Sequence, residues 1–288
     1  MSFDYFDYKG VRFAVGVQSE ETLNHAENEF EVLDDDIFNV TYPKSGSNWM
    51  IQILNLIKHK GDLEKNNMIP IFMRSPWFES IGNREPIEKM ESPRILSSHL
   101  QHHIFAKSFF KSKAKIIYTM RNPKDIIVSF FHFTKILKIF QPAEDFQKFI
   151  EDFIQGKFLF GSYFDHVKGW MQMKDDSRFF IITYEELMQD LRGSVVRICK
   201  FWGQELDDAQ IDLVVKHSSF KSMKENKMSN WSEIPPDIMD LTKGQFMRKG
   251  ISGDWKNHFT VAQSEYFDKV YQEKMKDVNI TFFWEQSS

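Results

Sequence analysis

The apolar and polar positions of this chain predict strands that alternate with helices. Residues 37–41 are rich in β-branched and aromatic side chains, as in a buried strand. Apolar positions then recur at helical spacing from Trp49 to Ile57, and the cations at 58–60 followed by Gly61 predict the helix end. Similar apolar segments predict strands at 94–97, 115–120 and 179–184. We therefore expect an α/β fold, one domain over residues 1–288, with a central, mainly parallel sheet flanked by helices.

Side chains suited to ligand binding lie at the ends of these predicted strands. Lys44, His99, Arg121 and Tyr184 each end a strand or follow one within a few residues. Ligands of parallel α/β sheets bind outside the carboxyl ends of the strands. We therefore expect these side chains to converge on one cleft.

The loop at residues 41–49, Thr-Tyr-Pro-Lys-Ser-Gly-Ser-Asn-Trp, joins the first of these strands to its helix. The free N–H groups and positive dipole of a helix start favour an oxyanion, and Lys44, Ser47 and Asn48 add a cation and polar groups. The lysine precedes the only glycine, so the loop resembles a nucleotide-binding P-loop without matching its signature. A helix cap without ligand remains the alternative.

Two further segments are cationic. Arg121 precedes Pro123, which suits a first helical turn, and its planar guanidinium can bind an anion. Residues 248–256 form a glycine-punctuated loop in which Arg248 and Lys249 can bind a phosphate. An ordinary surface ion pair for Arg121 and a solvated loop at 248–256 remain open alternatives.

With these motifs in order, the chain resembles the cytosolic sulfotransferases, most nearly the hydroxysteroid (alcohol or bile salt) sulfotransferases. The resemblance spans nearly the whole chain. It rests on residues 42–49 (YPKSGSNW), 75–77 (SPW), 97–100 (SSHL), 121–123 (RNP) with Ser129, 223–230 (MKENKMSN) and 248–261 (RKGISGDWKNHFTV). Several spaced motifs in the same order make a chance match improbable.

The resemblance implies that the donor is 3′-phosphoadenosine 5′-phosphosulfate. It implies that residues 44–49 hold the 5′-phosphosulfate, that the cations near Ser129 hold the 3′-phosphate, and that the adenine lies between two aromatic rings. The residues expected to bind the donor are Lys44, Ser45, Gly46, Ser47, Asn48, Trp49, Arg121, Ser129, Tyr184, Ser218, Phe220, Met223, Arg248, Lys249 and Gly250.

His99 and Lys44 are the predicted catalytic residues. An alcohol is a poor nucleophile at neutral pH, so a histidine is suited to take its proton as the oxygen attacks sulfur. A fixed cation stabilises charge that develops on the leaving phosphate and the sulfuryl oxygens. The neighbouring His102 and His103 offer a metal-cluster alternative, but zinc sites need three or four placed ligands, so we predict no metal. A structural role for His99 is the remaining alternative.

The acceptor is less specified than the donor. The resemblance implies an apolar acceptor cavity, and we expect Trp77 and Phe133 to line it, while most of the 29 phenylalanines fill the core. Residues 101–104, 130–138 and 234–243 depart from close relatives near the expected acceptor site, and the loop at 230–244 is predicted to move on ligand binding. Steroid, bile acid and other alcohols, including phenols, stay open as acceptors.

Composition favours a cytosolic protein. At 42% hydrophobic content the chain can bury a large core, and its single cysteine, Cys199, predicts a packed helix residue rather than a disulfide. Residues 1–5 lack the basic start and apolar run of a signal peptide, and the apolar stretch 126–140 is too short to span a bilayer. A formal charge of −4 argues against general nucleic-acid binding.

Residues 256–265 resemble the short dimer motif of the same family, so a homodimer is expected. Considered alone, this segment predicts a helix start capped by Thr260. Two other functions remain alternatives at this stage. A nucleotide kinase would need Mg²⁺ and ATP, and a catalytically weak protein would bind nucleotide or steroid without turnover.

Overall fold

The structure is a computed structural model, and it describes residues 4–278. The strands are β1 (Tyr5–Tyr8), β2 (Val11–Ala14), β3 (Ile37–Thr41), β4 (Ile95–Ser98), β5 (Lys115–Met120) and β6 (Phe179–Thr183). The helices are α1 (Glu20–Asn28), α2 (Ser47–Lys58), α3 (Leu63–Asn66), α4 (Ile71–Arg74), α5 (Arg84–Glu88), α6 (Pro123–Phe133), α7 (Phe146–Ile154), α8 (Tyr163–Met171), α9 (Tyr184–Gln189), α10 (Leu191–Trp202), α11 (Asp208–Ser218), α12 (Phe220–Glu225) and α13 (Val261–Met275). Short 3₁₀ turns lie at 102–104, 109–111, 241–243 and 254–257.

The central sheet is parallel, as the sequence predicts. Its strand order is β4-β3-β5-β6, and each neighbouring pair runs in parallel. The predicted strand at 94–97 is displaced by one residue, to Ile95–Ser98. Tyr184 does not end β6 but begins α9, because Thr183 caps that helix through a reciprocal pair of hydrogen bonds with Glu186. Because β4, β3, β5 and β6 run in parallel, their carboxyl ends lie at one edge of the sheet.

Both faces of the sheet are buried under helices. Successive residues of a strand point to opposite faces, so Ile37 packs with the helix residues Ile53 and Leu56 while Phe38 packs with Phe105 and Phe109 on the other side. Full burial of such a side chain stabilises the fold by about 1.5–3 kcal/mol. The continuous apolar run of each strand is the consequence of this double coverage.

Aromatic side chains dominate the core on the Phe38 face. The ring of Phe38 makes edge-to-face contacts with Phe78, Phe105 and Phe109 at centroid distances of 5.6, 5.2 and 6.0 Å. The expectation that most phenylalanines serve packing is confirmed for this cluster. Cys199 is buried in α10, as predicted, and burial raises the pKa of its thiol to about 11.

An antiparallel hairpin, β1–β2, was not predicted from the sequence. Its turn is made by Lys9 and Gly10, both at positive φ (49° and 80°). The hairpin packs Phe13 against Phe160, whose ring lies 5.1 Å from that of His99. The hairpin thus closes the back of the region around His99.

No helix within residues 4–278 is both long and apolar enough to cross a membrane.

Candidate active site

The loop between β3 and α2 leaves the start of α2 open. Gly46 precedes the helix at φ 113°, and no side chain caps the first turn. A Cβ on Gly46 would lie 3.0 Å from the ring of Tyr184, so the loop needs glycine both for its backbone angle and for its closeness to α9. Lys44 also has positive φ, 71°. This geometry favours an anion at the helix start over a simple cap.

One cavity lies at the carboxyl edge of the sheet and collects most of the predicted site residues. Those that line it are Lys44, Gly46, Ser47, Asn48, Trp49, Trp77, His99, Arg121, Ser129, Phe133, Tyr184, Phe220, Met223, Arg248, Lys249 and Gly250. The expected convergence of strand ends on one cleft is therefore observed.

Ser45 and Ser218 are the predicted site residues that do not line this cavity. Ser45 is fully buried, and its hydroxyl has no hydrogen-bond partner among residues 4–278. The hydroxyl of Ser218 donates to the carbonyl of Val214 at 2.7 Å. The Ser218 carbonyl instead accepts from the indole N–H of Trp49 at 2.7 Å, so this residue positions an aromatic wall of the cavity.

Arg121 connects two loops of the site. Its Nη1 donates to the Lys44 carbonyl at 3.2 Å and its Nη2 to the Ile251 carbonyl at 3.1 Å. The guanidinium lies 4.2 Å from the Tyr184 ring, and its buried Nε has no hydrogen-bond partner within the described residues. Arg121 thus places a guanidinium in the lining of the cavity, and such a planar cation is suited to bind an anion.

The loop at 248–258 is fixed to α6. The carboxylate of Asp125 accepts the N–H groups of Gly253 at 2.7 Å and Trp255 at 3.0 Å. Arg248 and Lys249 both contact the Asp254 carboxylate, at 2.7 and 2.6 Å. One carboxylate therefore holds both cations, although the Lys249 side chain stays 44% exposed.

Gly250 allows this loop to approach α12. Its φ is 64°, and a Cβ there would lie 2.0 Å from the Phe220 ring. No larger residue fits between the cationic loop and Phe220 without displacing one of them.

One ring nitrogen of His99 is hydrogen-bonded, and the other has no hydrogen bond to any residue from 4 to 278. Its Nδ1 lies 2.7 Å from the Thr41 carbonyl oxygen, and since a carbonyl only accepts, Nδ1 carries the proton. Nε2 is then the basic nitrogen. Desolvation lowers the pKa of His99 to about 4, the Thr41 hydrogen bond opposes this, and the charge of Lys44 lowers it further. The imidazole is therefore neutral near pH 7 and able to accept a proton.

Lys44 lies between the cationic and the aromatic parts of the cavity. Its Nζ is 3.5 Å from the ring centroid of Phe133 and 4.8 Å from that of Phe246. Desolvation, followed by repulsion from Arg121 and Arg248, lowers the pKa of Lys44 to about 7. An anion bound at the helix start would oppose both effects.

The aromatic part of the cavity contains the predicted Trp77 and Phe133 and several residues that sequence reasoning missed. The Trp77 ring is 5.7 Å from the His99 ring. The missed lining residues are Pro43, Met188, Ser229, Trp231, Phe246, Met247 and Ile251. Some of them could have been found from their place in the sequence. Trp231 directly follows the motif at residues 223–230, and Met247 directly precedes Arg248.

Trp231 is the most constrained of the missed residues. It has φ 68°, which is rare for a bulky side chain. Its indole N–H donates to Asn48 Oδ1 at 2.8 Å, and its ring stacks on Phe246 at 4.6 Å. Trp231 therefore connects the first turn of α2 to the aromatic wall.

His102 and His103 lie outside the cavity, in the 3₁₀ turn that follows His99. The ring of His102 is 5.2 Å from that of Trp170, and His103 Nε2 is 3.3 Å from the Lys9 carbonyl. Among residues 4–278, no group of three or more His, Cys, Asp or Glu side chains is placed to hold a metal ion.

Comparison with known proteins agrees with this geometry. Residues 34–279 match the sulfotransferase domain family. The chain belongs to the sulfotransferase family. It is 51% identical over 284 residues to sulfotransferase 2B1 of Mus musculus, covering 99% of this chain and 84% of that protein. It is 47% identical over 288 residues to the 3-beta-hydroxysteroid sulfotransferase of Cavia porcellus, covering 99% of this chain and 100% of that protein.

A solved structure supports the same assignment of this sulfotransferase. Mouse sulfotransferase SULT7A1 complexed with PAP superposes with a TM-score of 0.82 at 31% identity, covering 96% of each chain. The protein is a sulfotransferase that uses 3′-phosphoadenosine 5′-phosphosulfate as donor. The site fits such a donor, because an uncapped helix start, buried cations and the aromatic rings of Trp49 and Phe220 line one cavity. The kinase alternative is thereby set aside.

Proposed function

We propose that this sulfotransferase modifies a hydroxyl of a steroid or a related alicyclic alcohol, with residues 1–288 acting as one domain and no metal taking part. The observation that carries this proposal is the single cavity in which Lys44 and His99 face an aromatic wall. A flat, apolar acceptor is suited to such a wall. The likeness to a protein named as a 3-beta-hydroxysteroid sulfotransferase supports the same acceptor class.

On the donor side, the roles follow from charge and position. We assign the 5′-phosphosulfate to the open start of α2, with Lys44, Ser47 and Asn48 around it. The 3′-phosphate is assigned to Arg121, Ser129 and the 248–250 loop, because these residues bring three cations to one part of the cavity lining. The adenine is assigned to the space between Trp49 and Phe220.

His99 is assigned as the general base. Its Nε2 takes the proton of the acceptor hydroxyl while the hydroxyl oxygen forms a bond to sulfur and the bond from sulfur to the 5′-phosphate oxygen breaks. The products are a sulfate ester, the nucleotide 3′,5′-bisphosphate and a proton on the imidazole. The hydrogen bond from Nδ1 to Thr41 supports this role because it fixes the tautomer.

Lys44 is assigned to charge stabilisation during the same step. Negative charge grows on the leaving phosphate oxygen, and a cation at the junction of the two halves of the cavity stabilises the transition state more than the ground state. Because the Lys44 pKa is about 7 without an anion, the bound donor itself secures the charged form.

Radiolabelled donor incubated with hydroxysteroids, bile acids, phenols and simple alcohols tests this function. We expect transfer to an alicyclic hydroxyl, and a loss of about 10²–10⁴-fold in His99→Ala with nucleotide binding unchanged. His103→Ala, outside the cavity, is the matched control and should keep activity. Transfer only to phenols would correct the acceptor class. Donor binding without transfer to any acceptor would favour the nucleotide- or steroid-binding alternative.

We also propose a cytosolic homodimer that forms through residues 256–265. Thr260 caps α13 through a reciprocal pair with Gln263, as predicted, and this leaves Val261 75% exposed. An apolar side chain this exposed at a helix start is suited to a contact with a second copy. Mass in solution should be near twice that of one chain and fall to one chain in Val261→Glu; a single-chain mass for the wild type would overturn the dimer.

A further inference from the structure

Two buried glutamates lie at the carboxyl edge of the sheet, and the transfer step as proposed uses neither. Glu79 is fully buried and Glu185 is 5% exposed. Each accepts one backbone N–H from a residue that follows a strand: Glu79 Oε1 from His99 at 2.8 Å, and Glu185 Oε1 from Asn122 at 3.0 Å. The second oxygen of each carboxyl is buried without a close hydrogen-bond partner in the described part of the chain, and only Glu79 has a side-chain hydroxyl, that of Ser98, near enough to lower its pKa.

Burial of such carboxyls reduces the stability of the folded protein. Burial raises the pKa of Glu79 and of Glu185 to about 7, and the hydrogen bonds from the His99 and Asn122 N–H groups oppose that rise. A buried polar atom without a partner costs about 1–3 kcal/mol, and an apolar side chain of similar size avoids that penalty. Departures of this kind from the rules of stable packing are concentrated at functional sites.

Glu79 lies where β4 ends and its chain turns into the cavity. Residues 76–78 run beside β4, with the Ser97 N–H donating to the Pro76 carbonyl at 3.0 Å and the Phe78 N–H to the Ser97 carbonyl at 3.3 Å. This places the next residue, Glu79, against the His99 N–H. The backbone of His99 is thus held by Glu79 while its Nδ1 is held by Thr41, and the direction of Nε2 depends on both.

Glu185 occupies the equivalent place at the end of β5. It lies in the first turn of α9, beside Tyr184, and it accepts the N–H of the peptide that joins Arg121 to Asn122. Asn122 in turn caps α6, with its side chain accepting the Lys124 N–H at 3.0 Å. Glu185 therefore fixes the backbone from which the Arg121 guanidinium reaches the donor side.

We propose that Glu79 and Glu185 are positioning residues with separate tasks: Glu79 aligns His99 for proton removal, and Glu185 aligns Arg121 for nucleotide binding. The proposal rests on the function proposed above for His99 and Arg121. It predicts that substitution of each glutamate changes a different property, catalysis for Glu79 and nucleotide binding for Glu185, because the two carboxyls lie in different halves of one site. Each glutamate is the matched control of the other, because both are buried and each accepts one backbone N–H.

The test compares Glu79→Ala and Glu185→Ala, each beside its Gln variant, which keeps a carbonyl acceptor. We expect Glu79→Ala to lower kcat by about 10–100-fold with the Kd for adenosine 3′,5′-bisphosphate unchanged, since small displacements of a reacting group are costly. Glu185→Ala should raise that Kd by about tenfold with kcat at saturating donor unchanged. Each Gln variant should restore most of the loss.

Other outcomes overturn the proposal. If both Ala variants lower kcat and affinity together, or change neither, the separate tasks are wrong. If an Ala variant fails to fold, the Leu variant, which fills the space without an acceptor, replaces it. If the Leu variant also fails to fold, the carboxyl is structural and the proposal falls for that residue.

Two readouts separate this proposal from the proposed function. The role of Glu185 is tested by the Kd for adenosine 3′,5′-bisphosphate, which can be measured without turnover. For Glu79, nitrogen-15 NMR of labelled histidine reports the His99 tautomer, and we expect Glu79→Ala to populate the second tautomer while Glu185→Ala does not. A wild-type protein without transfer activity, but with both of these effects, would reject the proposed function and keep the positioning roles.

Discussion

The two parts of this cavity to which we assign the donor and the acceptor, the donor half and the acceptor half, are built in different ways. The donor half consists of backbone groups and cations set on the ends of β3 and β5 and on the 248–250 loop, with glycines at positive φ where chains approach closely. The acceptor half consists of aromatic rings from separate segments, including Trp77, Phe133 and Trp231.

The difference follows from the ligands. An anion is recognised by directed hydrogen bonds and charge, which tolerate little displacement, so the donor half is anchored to the sheet. An apolar acceptor is recognised by contact area, which different sets of rings can supply. Lys44 joins the halves, since it follows β3 and its ammonium lies 3.5 Å from the Phe133 ring centroid. A substitution in one half should therefore change the binding of only one substrate, except at this junction, where both should change.

The largest effect on binding is expected at Arg121. Arg121→Gln should raise the Kd for adenosine 3′,5′-bisphosphate by about 10–100-fold, because a charge-assisted hydrogen bond is worth about 1.5–3 kcal/mol. Isothermal titration calorimetry measures the change, and acceptor affinity should stay the same. Arg178→Gln is the control, since Arg178 also donates to backbone carbonyls, at Ser112 and Phe109, but does not line the cavity. Equal losses in both variants would refute a donor-specific role.

The next effect concerns pH and Lys44. The pKa of Lys44 is about 7 without ligand, and a bound anion raises it. Nucleotide binding is therefore favoured by the protonated form of Lys44. The extra affinity is fully present below pH 7 and is lost as pH rises above 7, by up to about tenfold per unit for one linked proton. Nucleotide Kd measured from pH 6 to 8.5 checks this. Lys44→Arg, which stays charged, should remove that part of the pH dependence; an unchanged slope would exclude Lys44 as its source.

A smaller effect is expected for the aromatic residues on the acceptor side, where Trp77 and Phe133 should behave differently. Trp77→Leu should raise the KM for the acceptor by about 2–10-fold and leave nucleotide Kd unchanged, because an aromatic contact contributes about 0.5–1.5 kcal/mol beyond its area. Phe133→Leu should change both constants, since its ring contacts Lys44. Initial rates with each substrate varied will separate the two. If Phe133→Leu affects only the acceptor, Lys44 does not couple the halves.

The smallest effect is expected for the substitution Ser47→Thr. Ser47→Thr keeps the hydroxyl at the start of α2, so nucleotide Kd should stay within about twofold, whereas Ser47→Ala should weaken binding by about tenfold through loss of one hydrogen bond. Calorimetry on the two variants gives the comparison. A large loss in Ser47→Thr would mean that the loop has no room for a methyl group.

Most of the sheet and the donor half were predictable because their signals are local. The strand, loop and helix around residues 41–49 follow from apolar spacing and from the position of one glycine. The acceptor half was only partly predictable, since Phe246 and Trp231 face the cavity through contacts with each other and with Asn48. The hairpin β1–β2 was missed because its Lys-Gly turn and four-residue strands give a weak periodic signal.

The sequence by itself determined the parallel α/β arrangement, the open start of α2 and the family of this protein, because each depends on residues close together in the chain. Tertiary structure decided what those residues face. The partner of His99 Nδ1 is the carbonyl of Thr41, 58 positions away, and Glu79 reaches the His99 backbone only because residues 76–78 lie beside β4. Contacts between distant segments arise from the packing of the whole core, which no local periodicity encodes.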